Sequence, residues 1–373
     1  MEIKAIGIMG SNTTGTGAAE LFLKNGFQVR LYDDFKDSLN IALARISWSL
    51  KQAGNEELLG NMEGIQDLSK FNGADIVIEA AAKSPEERKV YFTKLRKHLD
   101  QRCVVAARCG VQPLSGIMEY TELPKERTLG FHFIKPVRSN QLVEVVRTNH
   151  TRDEYLEAAT NLLRKIGKTP VIIKDNPGQI VERLTRPFML AALRLLESGK
   201  GYPHEIDAAF KEVAGAPFGP FELADFSGLD SDYQATEDIY AALGKPERLA
   251  PSPTQLRLVQ YGQLGRKSTI GNYIYEEGRI VGENPVLPNM IKYLGLKKTF
   301  KEDIFAEIMR PVVEEAKLLA SEIMASEYDI ETAVKLGFGW PRGPFAFSRD
   351  MAHIMEKKKV SEFDQLDTFK NPA

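Results

Sequence analysis

The sequence has few of the residues that build metal sites and disulfide frameworks. Its 373 residues include two cysteines, Cys103 and Cys109, and five histidines. The histidines do not show the spacing of metal ligands, and two cysteines in one segment do not make a disulfide framework. The sequence therefore excludes a small disulfide-stabilised fold. It predicts a protein without a metal site, in a reducing compartment such as the cytoplasm.

Long apolar runs and an excess of charge of one sign are also absent. No apolar stretch approaches the roughly 20 residues that a membrane-spanning helix needs, and residues 1–8 are typical of a strand rather than a signal peptide. The formal net charge of −2 gives no reason to expect nucleic acid or an anionic membrane as a partner. The length and the 43% hydrophobic content indicate a globular protein of two or three domains.

The first 33 residues follow the plan of a dinucleotide-binding unit. An apolar strand (3–9) ends at a glycine-rich turn beginning with Gly10, a helical pattern covers 18–25, and a second strand ends at Asp33. In this plan the turn and the helix N-terminus present backbone N–H groups to a pyrophosphate, and the acid binds the adenine ribose hydroxyls. Because Asp33 and Asp34 would repel a 2′-phosphate, the sequence predicts NAD rather than NADP. The alternative is a turn of the same kind that binds nothing.

The glycine-rich turn departs from the Gly-x-Gly-x-x-Gly pattern at its middle position. Gly10 and Gly15 are present, but the middle residue is Asn12. Asparagine tolerates a positive φ better than most residues, yet its side chain occupies space that the cofactor normally uses. We include Asn12 and Thr14, with the two glycines, among the predicted cofactor contacts.

The segment 129–146 predicts a histidine and a carboxylate that face each other. Alternation along the first apolar strand puts His132 on the face opposite its two phenylalanine neighbours, and alternation along the second puts Glu144 on one face with its leucine and valine neighbours. If the two strands lie side by side, the carboxylate can fix the imidazole tautomer and stabilise the charged ring, as a general base requires. The alternative is a core histidine that is merely satisfied by a neighbour.

Alternating strands and helices continue to about residue 175. They predict an α/β, Rossmann-like, doubly wound domain over 1–175 with a mostly parallel sheet, followed by an all-α region. The remaining predicted elements of this domain are strands at 75–80, 103–107 and 169–175, and helices at about 36–53 and 85–99.

The helical half contains a repeat at a constant offset of 124 residues. The offset takes Arg186-Pro187 to Arg310-Pro311. The same offset takes Ala192 to Ala316, Ile206 to Ile330, Gly215 to Gly339, Pro217 to Pro341, and Gly219-Pro220-Phe221 to Gly343-Pro344-Phe345. We interpret these matches as two copies of one helical module, over 176–295 and 296–373. Helix ends that independently use proline and glycine are the alternative.

Taken together, these motifs resemble the NAD-dependent 3-hydroxyacyl-CoA dehydrogenase family over essentially the full chain. The motifs are the N-terminal fingerprint, Val77-Ile-Glu79-Ala80, His132-Phe-x-x-Pro136, Leu142-Val-Glu144-Val, Asp175-x-Pro177-Gly178, Gly215-x-Pro-x-Gly219-Pro220-Phe221-Glu222-Leu223-x-Asp225 and Gly265-Arg-Lys267-x-x-x-Gly271-x-Tyr273. The resemblance implies that His132 removes the hydroxyl proton while hydride leaves C3 for the nicotinamide, and that Glu144 orients His132. We add Glu79 and Arg88 to the predicted cofactor contacts.

Three positions of the predicted substrate site depart from the family pattern. Gly110 lacks the hydroxyl of the usual serine, and Lys135 and Glu182 stand where asparagines are usual. One hypothesis is an ion pair between Lys135 and Glu182, since a buried pair can offset the cost of burying its charges. In a second, Lys135 faces His132 and lowers the imidazole pKa. The bland alternative is that both side chains reach solvent.

The resemblance implies an oxidoreductase that interconverts a 3-hydroxyacyl-CoA and a 3-ketoacyl-CoA in fatty acid beta-oxidation. The altered site leaves two alternatives open. One is a catalytically impaired paralogue that binds a dinucleotide or CoA, and the other is a dehydrogenase for a smaller 3-hydroxy acid without CoA. Single-copy family members dimerise through the helical domain, and a second copy in the same chain would cover that face. The repeat therefore predicts a monomeric pseudo-dimer rather than a homodimer.

Overall fold

The chain divides into two units, Met1–Gln179 and Ile180–Ala373. The computed structural model describes residues 1–81, 84–290, 299–322, 325–351, 353–354 and 356. The boundary lies four residues beyond the predicted end of the first domain at residue 175, and the division of the second unit into two helical modules stays a prediction. No helix within these described ranges combines the length and the apolar character needed to cross a lipid bilayer.

The first unit is organised around an eight-stranded sheet. Its strands are β1 (Ala5–Met9), β2 (Gln28–Tyr32), β3 (Met62–Ile65), β4 (Ile76–Glu79), β5 (Val104–Arg108), β6 (Thr128–Phe133), β7 (Leu142–Arg147) and β8 (Thr169–Lys174). They lie in the order β3-β2-β1-β4-β5-β6-β7-β8. Only β6 and β7 are antiparallel neighbours. The predicted mostly parallel, doubly wound sheet is therefore confirmed.

The helices of this unit cover the sheet. They are α1 (Thr13–Lys24), α2 (Lys36–Gln52), α3 (Pro85–Leu95), α4 (Leu114–Thr121) and α5 (Asp153–Lys165). Every residue of β4 is buried, as expected for a central strand that is covered on both faces. In α5, apolar residues recur at helical spacing and are buried, while its charged residues lie on the other face.

The second unit is mostly helical and also contains a hairpin. Its elements are α6 (Val181–Glu197), α7 (Pro203–Ala214), α8 (Pro220–Ser227), α9 (Leu229–Ala242), α10 (Pro253–Gln260), β9 (Tyr273–Glu276), β10 (Arg279–Glu283), α11 (Leu287–Met290), α12 (Lys301–Ser321) and α13 (Glu327–Phe338). The antiparallel strands β9 and β10 turn at a Glu-Gly pair in which both residues have positive φ, as in the tight turns that join hairpin strands.

Equivalent positions of the predicted repeat make equivalent contacts. The bounds of α7 and α13 differ by 124 residues at both ends. Asp207 on α7 accepts hydrogen bonds from the N–H groups of Phe221 and Glu222. Glu331 on α13 accepts hydrogen bonds from the N–H groups of residues 345 and 346, which are the same two positions displaced by 124.

Contacts between the two halves of the repeat are also reciprocal. A Cβ atom on Gly215 would lie 3.5 Å from the Cγ atom of Pro341, and a Cβ atom on Gly339 would lie 3.4 Å from the Cγ atom of Pro217. Contacts of this form, in which two sites exchange roles, are what a two-fold axis produces. The turns at Gly215 and Gly339 therefore pack against each other's proline in the same way, and the duplication of the helical module stays a prediction.

Candidate active site

His132 and Glu144 lie directly opposite each other on the antiparallel strands β6 and β7. The imidazole Nδ1 atom is 2.5 Å from the Oε2 atom of Glu144, and the two side chains are 16% and 0% exposed. Directly opposite residues of an antiparallel pair project to the same face, which is why alternation predicts the contact. A proton on Nδ1, shared with this buried carboxylate, corresponds to the tautomer in which Nε2 is the basic nitrogen.

Gly110, just beyond the end of β5, lies beside that second ring nitrogen. A Cβ atom at this position would be 3.6 Å from Nε2 and 3.7 Å from Cδ2 of His132, and the imidazole supplies the closest atoms. These are ordinary van der Waals distances, so a serine would fit here, and its hydroxyl would come within hydrogen-bonding reach of Nε2. Because residue 110 is a glycine, no side chain from this position occupies the space beside Nε2 of His132.

The end of β5 is held by a buried ion pair. Arg88 donates from Nε to the Oε1 atom of Glu79 at 2.8 Å, and its Nη2 atom bonds the second carboxylate oxygen. Each partner is 5% exposed. The pair also binds the backbone of Arg108, because Glu79 accepts its N–H at 2.9 Å and Arg88 donates to its carbonyl at 2.9 Å. Glu79 and Arg88 thus fix the segment that leads into Gly110. Their contact with the cofactor stays a prediction.

Residues 108–114, which connect β5 to α4, are also held at the end that leads into α4. Asp175 accepts hydrogen bonds from the N–H groups of Leu114 and Ser115, at the start of α4, and the N–H of Gly178 donates to the carbonyl of Val111. The sequence motif Asp-x-Pro-Gly therefore acts as a local anchor for the 108–114 segment. The resemblance marked this motif, but spacing alone does not reveal what it holds.

Gly10 and Gly15 form a turn too tight for side chains. Gly10 has φ +103°, and a Cβ atom there would lie 2.7 Å from the backbone nitrogen of Ala81. At Gly15 a Cβ atom would lie 1.8 Å from the carbonyl oxygen of Gly10. The turn therefore brings the strand and the N-terminus of α1 together closely, as a pyrophosphate cradle requires.

Asn12 has φ −67° rather than a positive φ, and it is the N-cap of α1. Its Oδ1 atom accepts hydrogen bonds from the N–H groups of Thr14 and Gly15, both at 3.0 Å, and its Nδ2 atom donates to the carbonyl of Ala80 at 2.8 Å. The side chain is therefore folded back onto the protein, where it caps the helix and ties it to the end of β4. This explains how an asparagine is accommodated at the position where the pattern expects a glycine.

Asp33 lies at the end of β2, where an acid that binds the adenosine ribose is expected. Its Oδ2 atom accepts hydrogen bonds from the N–H and the hydroxyl of Ser11, at 2.8 and 2.6 Å, and its Oδ1 atom accepts from the N–H of Phe35 at 3.1 Å. These bonds hold the carboxylate beside the turn. The glycine turn, the N-terminus of α1 and Asp33 therefore fit a dinucleotide.

The remaining predicted substrate residues belong to different units. Lys135 is exposed in the loop between β6 and β7. Glu182 lies at the start of α6 in the second unit, where its Oε2 atom is 3.2 Å from the Nη2 atom of Arg186. The ion pair hypothesised between Lys135 and Glu182 stays a prediction, as does the effect of Lys135 on His132.

The first unit also has an open cavity of about 480 Å³, which the sequence did not predict, between α1, α2 and the loop that follows β6. A buried acid, Glu20, lies in its wall. The available signal was a glutamate on a helix whose neighbours are small or apolar. That signal alone predicts neither the hydrogen-bond partners of Glu20 nor the cavity beside it.

Two family models match the chain. The NAD binding domain of 3-hydroxyacyl-CoA dehydrogenase matches residues 5–176, and the C-terminal domain of the same family matches residues 178–275. The chain belongs to the 3-hydroxyacyl-CoA dehydrogenase family. It is therefore related to NAD-dependent oxidoreductases, and the predicted cofactor, NAD, is confirmed at the level of the family.

Individual members of the 3-hydroxyacyl-CoA dehydrogenase family show how far the likeness extends. The chain is 33% identical over 288 residues to a 3-hydroxyadipyl-CoA dehydrogenase of Escherichia coli, covering 75% of this chain and 60% of that protein. It is 31% identical over 277 residues to a probable 3-hydroxybutyryl-CoA dehydrogenase of Deinococcus radiodurans, covering 72% of this chain and 99% of that protein. A crystal structure of 3-hydroxybutyryl-CoA dehydrogenase from E. coli K12 superposes with a TM-score of 0.83 at 25% identity, covering 97% of this chain and 95% of that one.

Proposed function

We propose that this chain interconverts a 3-hydroxyacyl-CoA and the 3-ketoacyl-CoA, with His132 as the acid–base residue and Glu144 as its orienting partner. The observation that carries the proposal is the 2.5 Å contact between Nδ1 of His132 and the fully buried carboxylate of Glu144. A carboxylate on Nδ1 fixes the tautomer that presents Nε2 as a base, and it stabilises the imidazolium that forms when Nε2 takes a proton.

In the oxidation, Nε2 of His132 takes the proton from the C3 hydroxyl of the substrate as the hydrogen on C3 leaves as hydride. In the reduction, the imidazolium returns that proton to the alkoxide oxygen. Bound NAD supplies the hydride acceptor. The carboxylate of Glu144 balances the positive charge of the imidazolium.

The cofactor would be held by the glycine turn at Gly10 and Gly15, the N-terminus of α1 and the carboxylate of Asp33. Asn12 caps α1 through its own side chain, so it shapes this turn rather than crowding it. Thr14 follows on the first turn of the helix, where a hydroxyl can face the pyrophosphate. Glu79 and Arg88 would act on the cofactor through the backbone of Arg108 that they fix.

For the substrate, we infer a CoA thioester whose reacting carbon lies at Nε2 of His132 and Gly110. The cavity between α1, α2 and the loop after β6 would take the remote part of the CoA. Its volume of about 480 Å³ lies in the range of small-molecule sites. An exposed tryptophan, Trp48, and two guanidinium groups, Arg45 and Arg138, stand in its walls. They offer an aromatic face and positive charge to a nucleotide phosphate.

A smaller 3-hydroxy acid without CoA is the second candidate, and Gly110 favours it. A glycine at this position removes the hydroxyl that the family usually provides, and the open space beside Nε2 suits a substrate that carries its own polar group there. Following NADH absorbance with acetoacetyl-CoA and then with free acetoacetate separates the candidates. Turnover of the thioester alone supports the first, and turnover of the free acid alone supports the second. Turnover of neither contradicts both and indicates a protein that only binds its ligands.

We further infer that the helical module is duplicated and that the chain is a monomer. The support is the pair of equivalent acids, Asp207 and Glu331, and the reciprocal contacts of the turns at Gly215 and Gly339. Light scattering should give the mass of one chain, and a stable dimer at nanomolar concentration would contradict this inference. The proposed reaction is a step of fatty acid beta-oxidation, and we place it in the cytoplasm because the two cysteines are free.

A further inference from the structure

Glu20 is a buried acid in the wall of the cavity between α1, α2 and the loop that follows His132. Only 3% of its side chain is exposed. Its Oε1 atom accepts hydrogen bonds from Nζ of Lys24 and from the hydroxyl of Ser49, both at 2.7 Å. Its Oε2 atom accepts from the Nη1 atom of Arg138 at 3.0 Å. One carboxylate therefore binds α1, α2 and the loop.

This carboxylate is stable as an anion where it lies. Burial alone would raise the pKa of Glu20, but the hydrogen bonds from Lys24 and Ser49 and the positive charge of Arg138 together hold it below its ordinary value. These charge-assisted bonds connect both helices and the loop to one buried carboxylate. Arg138 is the partner that belongs to the loop, and it also lines the cavity.

The loop is short and directly follows the strand that carries His132. It runs from residue 134 to residue 141, between β6 and β7, and includes Lys135. It packs closely on α1, since a Cβ atom on Gly17 would lie 3.2 Å from Cβ of Val137. On its other side Lys168 donates to the backbone carbonyl of Val137. A group that enters the cavity therefore meets the loop directly, through Pro136, Val137 and Arg138.

We propose that Glu20 is a positioning residue that couples occupancy of this cavity to the loop after His132. A ligand that fills the cavity contacts α1, α2 and the loop at once. The Glu20–Arg138 bond then holds the loop in a fixed position against the two helices. The proposal rests on the proposed function in taking the remote, anionic part of the CoA as the occupant. Binding energy gained far from the reacting carbon is then used to order the segment beside it, which raises kcat as well as affinity.

The test compares a full thioester with one that lacks most of CoA. Acetoacetyl-CoA and acetoacetyl-N-acetylcysteamine share the reacting group, and only the first can fill the cavity. For the wild-type protein we expect kcat with the CoA thioester to be about tenfold higher. In Glu20→Gln and in Arg138→Met the ratio of the two kcat values should fall to within about twofold. Arg138→Lys should restore part of it, because a cation again faces Glu20.

Lys24→Met is the matched control. Lys24 is also a partner of Glu20, but it lies on α1, the helix that carries Glu20, and it is not among the residues that line the cavity. Its removal should leave the ratio of kcat values unchanged. A role of the cluster in stability alone predicts that Glu20→Gln, Arg138→Met and Lys24→Met all lower the melting temperature and that none of them changes this ratio.

A second readout does not depend on turnover. Hydrogen–deuterium exchange of residues 134–141 should slow when CoA is added to the wild-type protein, and it should not slow in Glu20→Gln or Arg138→Met. Arg138 is 61% exposed, so its variant should fold even if Glu20→Gln does not. Normal turnover with an unchanged ratio and unchanged protection would overturn the coupling and leave the proposed function standing. A different outcome would contradict the proposed function and leave the coupling standing. In that outcome neither thioester is turned over, yet CoA slows exchange of residues 134–141 in the wild-type protein and not in the variants.

Discussion

The imidazole of His132 and the carboxylate of Glu144 are joined by a 2.5 Å contact across two antiparallel strands. Because both residues lie within paired strands, strand pairing sets the geometry of the contact and no loop has to bring the groups together. This arrangement lets a buried carboxylate support a base whose other nitrogen lies beside Gly110.

Replacing Glu144 by glutamine should impair proton transfer without unfolding the first unit. The amide keeps the shape of the side chain but not the charge that stabilises the imidazolium. We expect kcat to fall by about 100-fold or more, with little change in the affinity for NAD. Steady-state kinetics together with fluorescence titration of NADH measure both quantities. An unchanged kcat would show that the carboxylate is only structural.

Gly110→Ser should be tolerated and should shift substrate preference. The position has room for a Cβ atom at 3.6 Å from Nε2 of His132, and the new hydroxyl can bond a C3 oxygen held there. We expect kcat/KM for acetoacetyl-CoA to rise about tenfold, since a well-placed donor contributes on this scale. Gly110→Ala is the control, because it adds bulk without a donor. If both variants behave alike, space rather than hydrogen bonding governs this position.

Removing one partner of the Glu79–Arg88 pair should destabilise the first unit strongly. Arg88→Met leaves a buried carboxylate without its counter-charge, and such changes cost about 3–5 kcal/mol. The double variant Glu79→Leu with Arg88→Met removes both charges and should lose less than the single variant. Urea unfolding of the three proteins measures the free energies. A double variant as unstable as the single one would mean that the lost backbone bonds to Arg108 dominate.

Stability of the second unit should depend on pH through Asp207. Burial raises the pKa of Asp207 to about 7, although hydrogen bonds from Phe221, Tyr273 and Glu222 oppose the shift. A raised folded-state pKa means that the stabilisation is complete below the unfolded value near 3.8 and is lost as pH rises through about 7. Between pH 5 and pH 8 the free energy of unfolding of the wild-type protein should therefore fall by about 3 kcal/mol relative to that of Asp207→Asn. Urea unfolding of both proteins measures these free energies. A difference between wild type and Asp207→Asn that is the same at pH 5 and pH 8 would contradict the prediction.

The parts of the site that follow from local periodicity are predictable from the sequence. Alternation in two short strands is enough to place His132 opposite Glu144, because side-chain direction in a strand repeats every two residues. The glycine turn and Asp33 are similarly local. The Asp-x-Pro-Gly motif is visible as well, although its action on α4 is not.

Contacts between distant segments are not predictable in this way. Glu20 and Arg138 are 118 residues apart, and nothing in either local pattern indicates the other. Strand β3 is short, lies at the edge of the sheet and contains two exposed residues, a glutamate and a glycine, so it lacks the apolar run that marks a strand. Asn12 breaks a glycine pattern, and only the structure reveals its use as a helix cap.

The most direct test of the central claim is NADH oxidation with acetoacetyl-CoA by the wild-type protein and by His132→Gln. We predict turnover by the wild type and a loss of about 100-fold or more in kcat for the variant, with NADH still bound. Wild-type turnover that the variant retains in full would contradict the assignment of His132 as the acid–base residue.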